Sequence, residues 1–237
     1  MSTSSIGRGV SVTFYGHAAF KLTGAGVTVL IDPWLSNPLL NTPVDRVGKV
    51  DLILLTHGHG DHVGETVALA KKNNAPVAAI HELSVILAQW GVPRVVGMNK
   101  GGTFEFSGLK VTMTHAVHSS TVEFEGQMVA AGDPAGFVVQ FPNGFVAYHA
   151  GDTAAFKDME LIRELYHPEL AMLPIGSHYV MNPVEAALAC RMLRPKWVIP
   201  MHYGTFPVLT GTPEELKDLL KGEPIEVIAL KPGETVE

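Results

Sequence analysis

The run Val50-Asp51-Leu52-Ile53-Leu54-Leu55 leads straight into Thr56-His57-Gly58-His59-Gly60-Asp61-His62. An apolar stretch of strand length bounded by a polar, glycine-rich turn reads as a buried strand. A cluster of ligand-type side chains therefore sits where that strand ends. Three imidazoles and a carboxylate within six positions do not all turn inward on a regular helix or strand. The two interleaved glycines let a loop fold so that all four converge. Imidazole nitrogen and carboxylate oxygen suit zinc, manganese or iron, and four donors so close together point to two ions rather than one. The alternative, a solvated histidine-rich turn, fits poorly with the strand in front of it.

At 237 residues with 46% apolar content, the chain suits one domain spanning 1–237 with a packed core. No apolar stretch approaches the length of a membrane span. The start Met1-Ser2-Thr3-Ser4-Ser5 has neither the basic nor the apolar region of a signal peptide, so a cytoplasmic location is expected. A single cysteine, Cys190, excludes an internal disulfide and any multi-thiolate zinc site, leaving His and Asp to bind metal. The formal charge of −6 gives no sign of a nucleic-acid surface.

Residues 10–15, 19–23 and 27–31 are β-branched or aromatic runs split by glycine turns and read as an antiparallel meander. After the histidine loop come a helix over 65–73, a strand over 76–80 and a helix over 83–90. Strands over 103–106, 109–114, 136–141 and 144–149 form a second strand-rich half. The tail alternates helices (158–165, 183–193, 213–220) with strands (169–173, 197–200, 226–230), and Pro183 and Pro213 stand at first-turn positions. Two strand-rich halves, each with helices, suggest two sheets face to face with helices outside. Residues 123–136 read as a long irregular stretch, either a substrate loop or a hairpin turn.

Further ligand candidates stand just past apolar runs: His118, Asp152 in Tyr148-His149-Ala150-Gly151-Asp152, and His202 after Val198-Ile199-Pro200-Met201. With them the chain resembles the metallo-β-lactamase superfamily, through the H-x-H-x-D-H loop at 57–62, His118, Gly151-Asp152-Thr153 and the late His202. More narrowly it resembles a small branch of metal-dependent hydrolases related to ascorbate-6-phosphate lactonases and N-acylphosphatidylethanolamine phospholipases D. The narrower likeness is carried by Tyr15-Gly16-His17-Ala18, Ile31-Asp32-Pro33-Trp34, Ala116-Val117-His118-Ser119-Ser120, Leu173-Pro174-Ile175-Gly176 and Met201-His202-Tyr203-Gly204-Thr205.

The resemblance implies an α/β fold, a four-layer αββα sandwich of two mixed sheets. It also implies a ligand set: His57, His59 and His118 on one divalent ion, Asp61, His62 and His202 on the second, and Asp152 between them. Zinc is the first expectation, with manganese or iron as alternatives. A water shared by two such ions ionises near neutral pH and becomes the nucleophile, with Asp61 counted as catalytic as well as ligating. Class B β-lactamases carry a cysteine ligand and an export signal, and the redox di-iron relatives carry Glu at the position of His59 and a flavin domain. This chain has neither pattern, and it has no room for a nuclease's cap domain.

Outside the ligand set, His17 and Asp32 stand at strand ends, where they orient ligand histidines. His115 is the alternative to His118, and His149 supports the aspartate loop. His178, between an apolar strand and a helix, points toward the same rim and is a proton donor to a leaving group, a binder of an anionic substrate, or else a capping or solvent-exposed loop histidine. The expectation is a cytoplasmic di-metal hydrolase of a small ester-type molecule: a lactone, a carboxylic ester or a phosphodiester. The alternatives are a mononuclear iron oxidoreductase or dioxygenase and a non-catalytic metal sensor. The sequence leaves oligomeric state open, with a homo-oligomer suggested only by analogy with relatives.

Overall fold

The computed structural model describes residues 6–237, so the Met1–Ser5 segment, with its expected lack of a signal peptide, lies outside the described residues. The N-terminal half runs β1 (Ser11–Gly16), β2 (Ala19–Gly24), β3 (Val27–Ile31), a short hairpin β4 (Ser36–Asn37) and β5 (Leu40–Asn41), then β6 (Leu52–Leu54). It continues through α1 (Gly60–Val63), α2 (Thr66–Asn73), β7 (Val77–Ile80), α3 (His81–Gln89) and β8 (Val95–Met98). The second half runs β9 (Thr103–Phe106), β10 (Leu109–His115), the hairpin β11 (Thr121–Phe124) and β12 (Gln127–Ala130), β13 (Ala135–Gln140) and β14 (Val146–His149). After these come α4 (Met159–Tyr166), β15 (Leu170–Pro174), α5 (Pro183–Leu193), β16 (Trp197–Met201), α6 (Pro213–Leu219), β17 (Glu226–Val227) and β18 (Thr235–Val236).

These strands make two seven-stranded mixed sheets, ordered β18-β1-β2-β3-β6-β7-β8 and β17-β16-β15-β14-β13-β10-β9. In each, consecutive strands joined by tight turns pair antiparallel, as do β10 and β13 on either side of the β11–β12 hairpin, while strands joined through helices pair parallel. The expected meander of the first three strands is present. The C-terminal β18 returns to cover the free side of β1.

Side-chain alternation assigns the faces. On β15, Leu170 and Met172 join a core shared by both sheets, with Phe14, Phe20, Ile53 and Phe137. Their neighbours Ala171 and Leu173 join a second core with Ala186, Cys190 and Leu216 of α5 and α6. On the far side of the first sheet, Leu69 of α2 and Leu83 and Leu87 of α3 are buried. The layers are thus helix, sheet, sheet, helix, as the sequence led us to expect. Pro183 and Pro213 open their helices behind capping boxes, Asn182 with Glu185 and Thr212 with Glu215.

Two local readings are corrected. The helix expected over 65–73 is preceded by a separate turn of helix, Gly60–Val63, which carries Asp61 and His62. Gly64 divides the two helices: at φ +40° it passes so close to the loop before β4 that a Cβ there would meet Trp34 Cα at 2.4 Å. The stretch 123–136 is not irregular, because most of it belongs to the β11–β12 hairpin. Its turn, Glu125-Gly126, has φ of 51° and 77°, the two positive values of a type I′ connection that Asn-Gly would have signalled more openly.

Candidate metal centre

The site stands where strands of both sheets end. His17 follows β1, Asp32 follows β3, His57 and His59 follow β6, His118 follows β10, Asp152 follows β14 and His202 follows β16. Three of these adopt left-handed backbone, His17 (φ 56°), Asp32 (φ 46°) and His202 (φ 55°). Each such non-glycine residue costs about 1–3 kcal/mol, a strain that concentrates at functional sites. The backbone N–H of His202 donates to the carbonyl of His17 at 2.7 Å, tying the end of one sheet to the end of the other.

Hydrogen bonds decide which ring nitrogens face inward. Asp32 accepts from the backbone N–H of Thr56 at 2.9 Å and from its hydroxyl at 2.6 Å. That hydroxyl has one proton, already given to Asp32, so at 2.9 Å from His57 Nδ1 it accepts. His57 is thereby held with its proton on Nδ1 and a lone pair on Nε2. Asp32 also lies 2.8 Å from His62 Nδ1, where it accepts a hydrogen bond from that nitrogen and turns Nε2 toward the cluster. His149 accepts from Gly151 N–H through Nδ1 at 3.1 Å and so donates from Nε2 to the Ala18 carbonyl at 3.0 Å. It props the aspartate loop as expected.

Inside this frame Asp152 Oδ2 lies 2.9 Å from His202 Nε2, 3.3 Å from His62 Nε2, 3.6 Å from His118 Nε2 and 3.9 Å from His57 Nε2. His57 Nε2 and His59 Nδ1 face each other at 3.0 Å. Asp61 is 3.1 Å from His17 Nε2, whose Nδ1 meets the Thr205 hydroxyl at 2.6 Å. Donor atoms of His57, His59 and His118 form one group within 4.8 Å of one another. His17, Asp61, His62 and His202 form a second, and His57, His62 and Asp152 a third that overlaps both.

These residues fit cations. His202 Nδ1 and Asp152 Oδ1 are buried without a hydrogen-bond partner, and His62 Nε2 and His202 Nε2 face Asp152 Oδ2 without hydrogen-bond geometry, a costly condition that a metal ion relieves. Burial, reinforced by neighbouring imidazoles, lowers the pKa of His57, His59 and His118, so they are neutral donors at pH 7. Burial likewise takes His17 down to about 4. Burial opposes charge on Asp152, yet His202 and His62 hold its carboxyl well below the usual range. For Asp61 burial again acts upward, and the His17 hydrogen bond with the charge of His62 overcomes it. Burial alone would depress His62, but Asp152 and Asp32 on either side carry it above the ordinary imidazole value.

The structure brings together all seven residues picked out as ligands, His57, His59, Asp61, His62, His118, Asp152 and His202. His115 is exposed and bonded to Lys100, away from them. A cleft of about 320 Å³ opens over the cluster, lined by His59, Asp61, His118, Ser119, Asp152, Tyr179, His202 and Phe206. His178 is exposed, outside this lining, with its ring edge-on to Tyr179. Tyr179 and Phe206 were missed in the sequence, where a loop aromatic carries no signal of which cavity it lines. The stacking of Trp34 on Phe206 at 5.8 Å was equally invisible.

Residues 27–203 match the model of the β-lactamase superfamily domain. A UPF0173 metal-dependent hydrolase of Koribacter versatilis is 48% identical over 230 residues, covering 96% of this chain and 98% of its own. Another from Methanopyrus kandleri is 48% identical over 229 residues, covering 95% and 99%. Among solved structures, the metallo hydrolase Igni18 of Ignicoccus hospitalis superposes with a TM-score of 0.87 at 39% identity, covering 96% of this chain and 97% of that one. Fold and site together are those of a metal-dependent hydrolase with the metallo-β-lactamase fold. The chain belongs to the metallo-β-lactamase superfamily and, within it, to the UPF0173 metal-dependent hydrolases. Among the described residues no helix is long and apolar enough to cross a membrane.

Proposed function

We propose that the protein hydrolyses a small ester-type substrate, a lactone or carboxylic ester or else a phosphodiester, at a pair of divalent ions, zinc foremost, in the cytoplasm. His57, His59 and His118 would hold one ion, Asp61, His62 and His202 the other, and Asp152 would touch both. The observation that carries this reading is the position of Asp152 Oδ2, within 4.0 Å of ring nitrogens from both histidine sets. Ions held there supply Lewis acidity and lower the pKa of a bound water toward neutrality.

The remaining work falls to the chain. Thr56 and Asp32 keep His57 and His62 in the donor tautomer, and His17 aims the Asp61 carboxylate. Tyr179 and Phe206 supply aromatic walls to the cleft. Tyr179, which lines the cleft, is the better candidate than His178 for a hydrogen bond to a substrate oxygen. The cleft volume, about 320 Å³, supports a small-molecule substrate.

Elemental analysis of the purified protein, with hydrolysis of generic carboxylic-ester, lactone and phosphodiester substrates by wild type and Asp152→Ala, tests the proposal. Two equivalents of metal and hydrolysis lost in the variant are expected. One iron without hydrolysis would overturn it.

A further inference from the structure

A second concavity, about 480 Å³, adjoins the metal cleft and shares one residue with it, His59. The same two chain segments wall both. Residues 58–60 carry His59, and Ser119 lines the cleft while Thr121, two residues on, lines the groove. Apart from Thr121 and Glu123, the remaining larger side chains of the groove wall are apolar: Val63 beside the ligand turn, Val67 of α2, Trp90 after α3, and Val122 and Met128 of the β11–β12 hairpin. Met128, 67% exposed, extends this apolar lining to the rim, so the informative feature is a contiguous apolar patch rather than one exposed side chain.

The hairpin is fastened to the histidine loop rather than hung loosely over it. Gly58 N–H donates to the Ser120 hydroxyl at 3.1 Å, and Ala131 N–H to the Ser120 carbonyl at 3.1 Å. Gly58 is so close that a Cβ would meet Ala131 Cβ at 2.6 Å and the Thr121 carbonyl at 2.9 Å. The groove's distance from the cluster is therefore set by backbone contacts. Its one acidic residue is Glu123, and no lysine or arginine lines it, which disfavours an anionic occupant and leaves an uncharged, apolar one.

We propose that the groove between α2, Trp90 and the β11–β12 hairpin is an acyl subsite, holding the uncharged apolar tail of a substrate whose scissile bond lies beside His59 in the adjoining cleft. This deepens, and rests on, the hydrolase reading above. The substrate class is then esters or lactones bearing a linear aliphatic chain. Burial of apolar surface makes each added methylene worth up to about fourfold in binding until the groove is full.

Two measurements separate the subsite from the reaction. On the zinc-loaded protein, kcat/KM is measured for p-nitrophenyl acetate, butyrate and hexanoate in wild type and Met128→Asp. Acetate and hexanoate, whose carboxylate would lie in the metal cleft so that only the uncharged chain enters the groove, are then titrated against tryptophan fluorescence in wild type and Trp90→Phe. Expected are a rise along the ester series that flattens in Met128→Asp, and a hexanoate-specific fluorescence change that disappears in Trp90→Phe. Esters cleaved with no dependence on chain length would overturn the subsite, as would hexanoate acting no more strongly than acetate or acting equally on Trp90→Phe. If no ester is cleaved while hexanoate still perturbs Trp90 selectively, the subsite stands and the ester hydrolase reading falls.

Discussion

Asp32 Oδ2 lies 2.8 Å from His62 Nδ1, and neither side chain reaches solvent. The same carboxylate holds the backbone and hydroxyl of Thr56, which in turn positions His57. One residue therefore orients a histidine from each of the two proposed ligand sets. Loss of such an orienting carboxylate typically weakens metal binding about 10- to 100-fold. Asp32→Ala is expected to lose that much zinc affinity in competition with a chromophoric chelator. Asp32→Asn, which still accepts a hydrogen bond and tolerates left-handed backbone, is expected to lose less. Equal affinity in Asp32→Ala and wild type would remove Asp32 from the site's design.

Metal removal should cost stability because the orphaned atoms of His62, Asp152 and His202 would lose the partner they lack within the protein. A ligand at 100 times its dissociation constant stabilises by about 2.7 kcal/mol. For a chain of this size that is roughly 5–10 °C in Tm. A chelator-treated sample, compared with one resupplied with zinc by differential scanning calorimetry, should show that gap. No difference would mean that the cluster binds zinc weakly or not at all.

Gly64 is the pivot that turns the chain from the ligand helix into α2. A Cβ there would stand 2.4 Å from Trp34 Cα and 2.5 Å from the Pro33 carbonyl, both backbone atoms, at φ +40°. Neither neighbour is the movable end of a side chain. Gly64→Ala is expected to destabilise by about 2–4 kcal/mol, from overpacking together with left-handed strain, read as a lower urea midpoint at unchanged m. A midpoint within error of wild type would show that the 33–34 loop yields.

Much of this architecture was legible because its signals are local. The strand that ends at Leu54, the donors spaced through 57–62 and the prolines opening α5 and α6 all follow from patterns within a few residues. The candidate ligands His118, Asp152 and His202 were legible for the same reason, each standing just past an apolar strand. What escaped depends on contacts distant in sequence. Gly64 breaks the helix because of Trp34, and the β11–β12 hairpin hides behind a Glu-Gly turn. Tyr179 rather than His178 lines the cleft, on a loop held at its two ends by Ile175 N–H to the Met201 carbonyl and Met181 N–H to the Thr153 carbonyl. No periodicity reports which of two adjacent loop side chains faces a cavity.

Cys190 offers a check on the second core, which packs α5 against the parallel strands. Burial, with Glu223 adding to it, pushes its thiol up to about 12 from 9.0. The sign follows from linkage: the unfolded chain loses this proton above about pH 9 while the folded chain keeps it. The contribution to stability is therefore complete below that pH and is lost as pH climbs toward 12. At pH 8 the thiol keeps its proton, and it is shielded by burial besides. Ellman's reagent should therefore label the native protein only as fast as it unfolds and label the urea-denatured protein at once. Prompt stoichiometric labelling of the native protein would instead show that α5 opens away from the sheet without global unfolding.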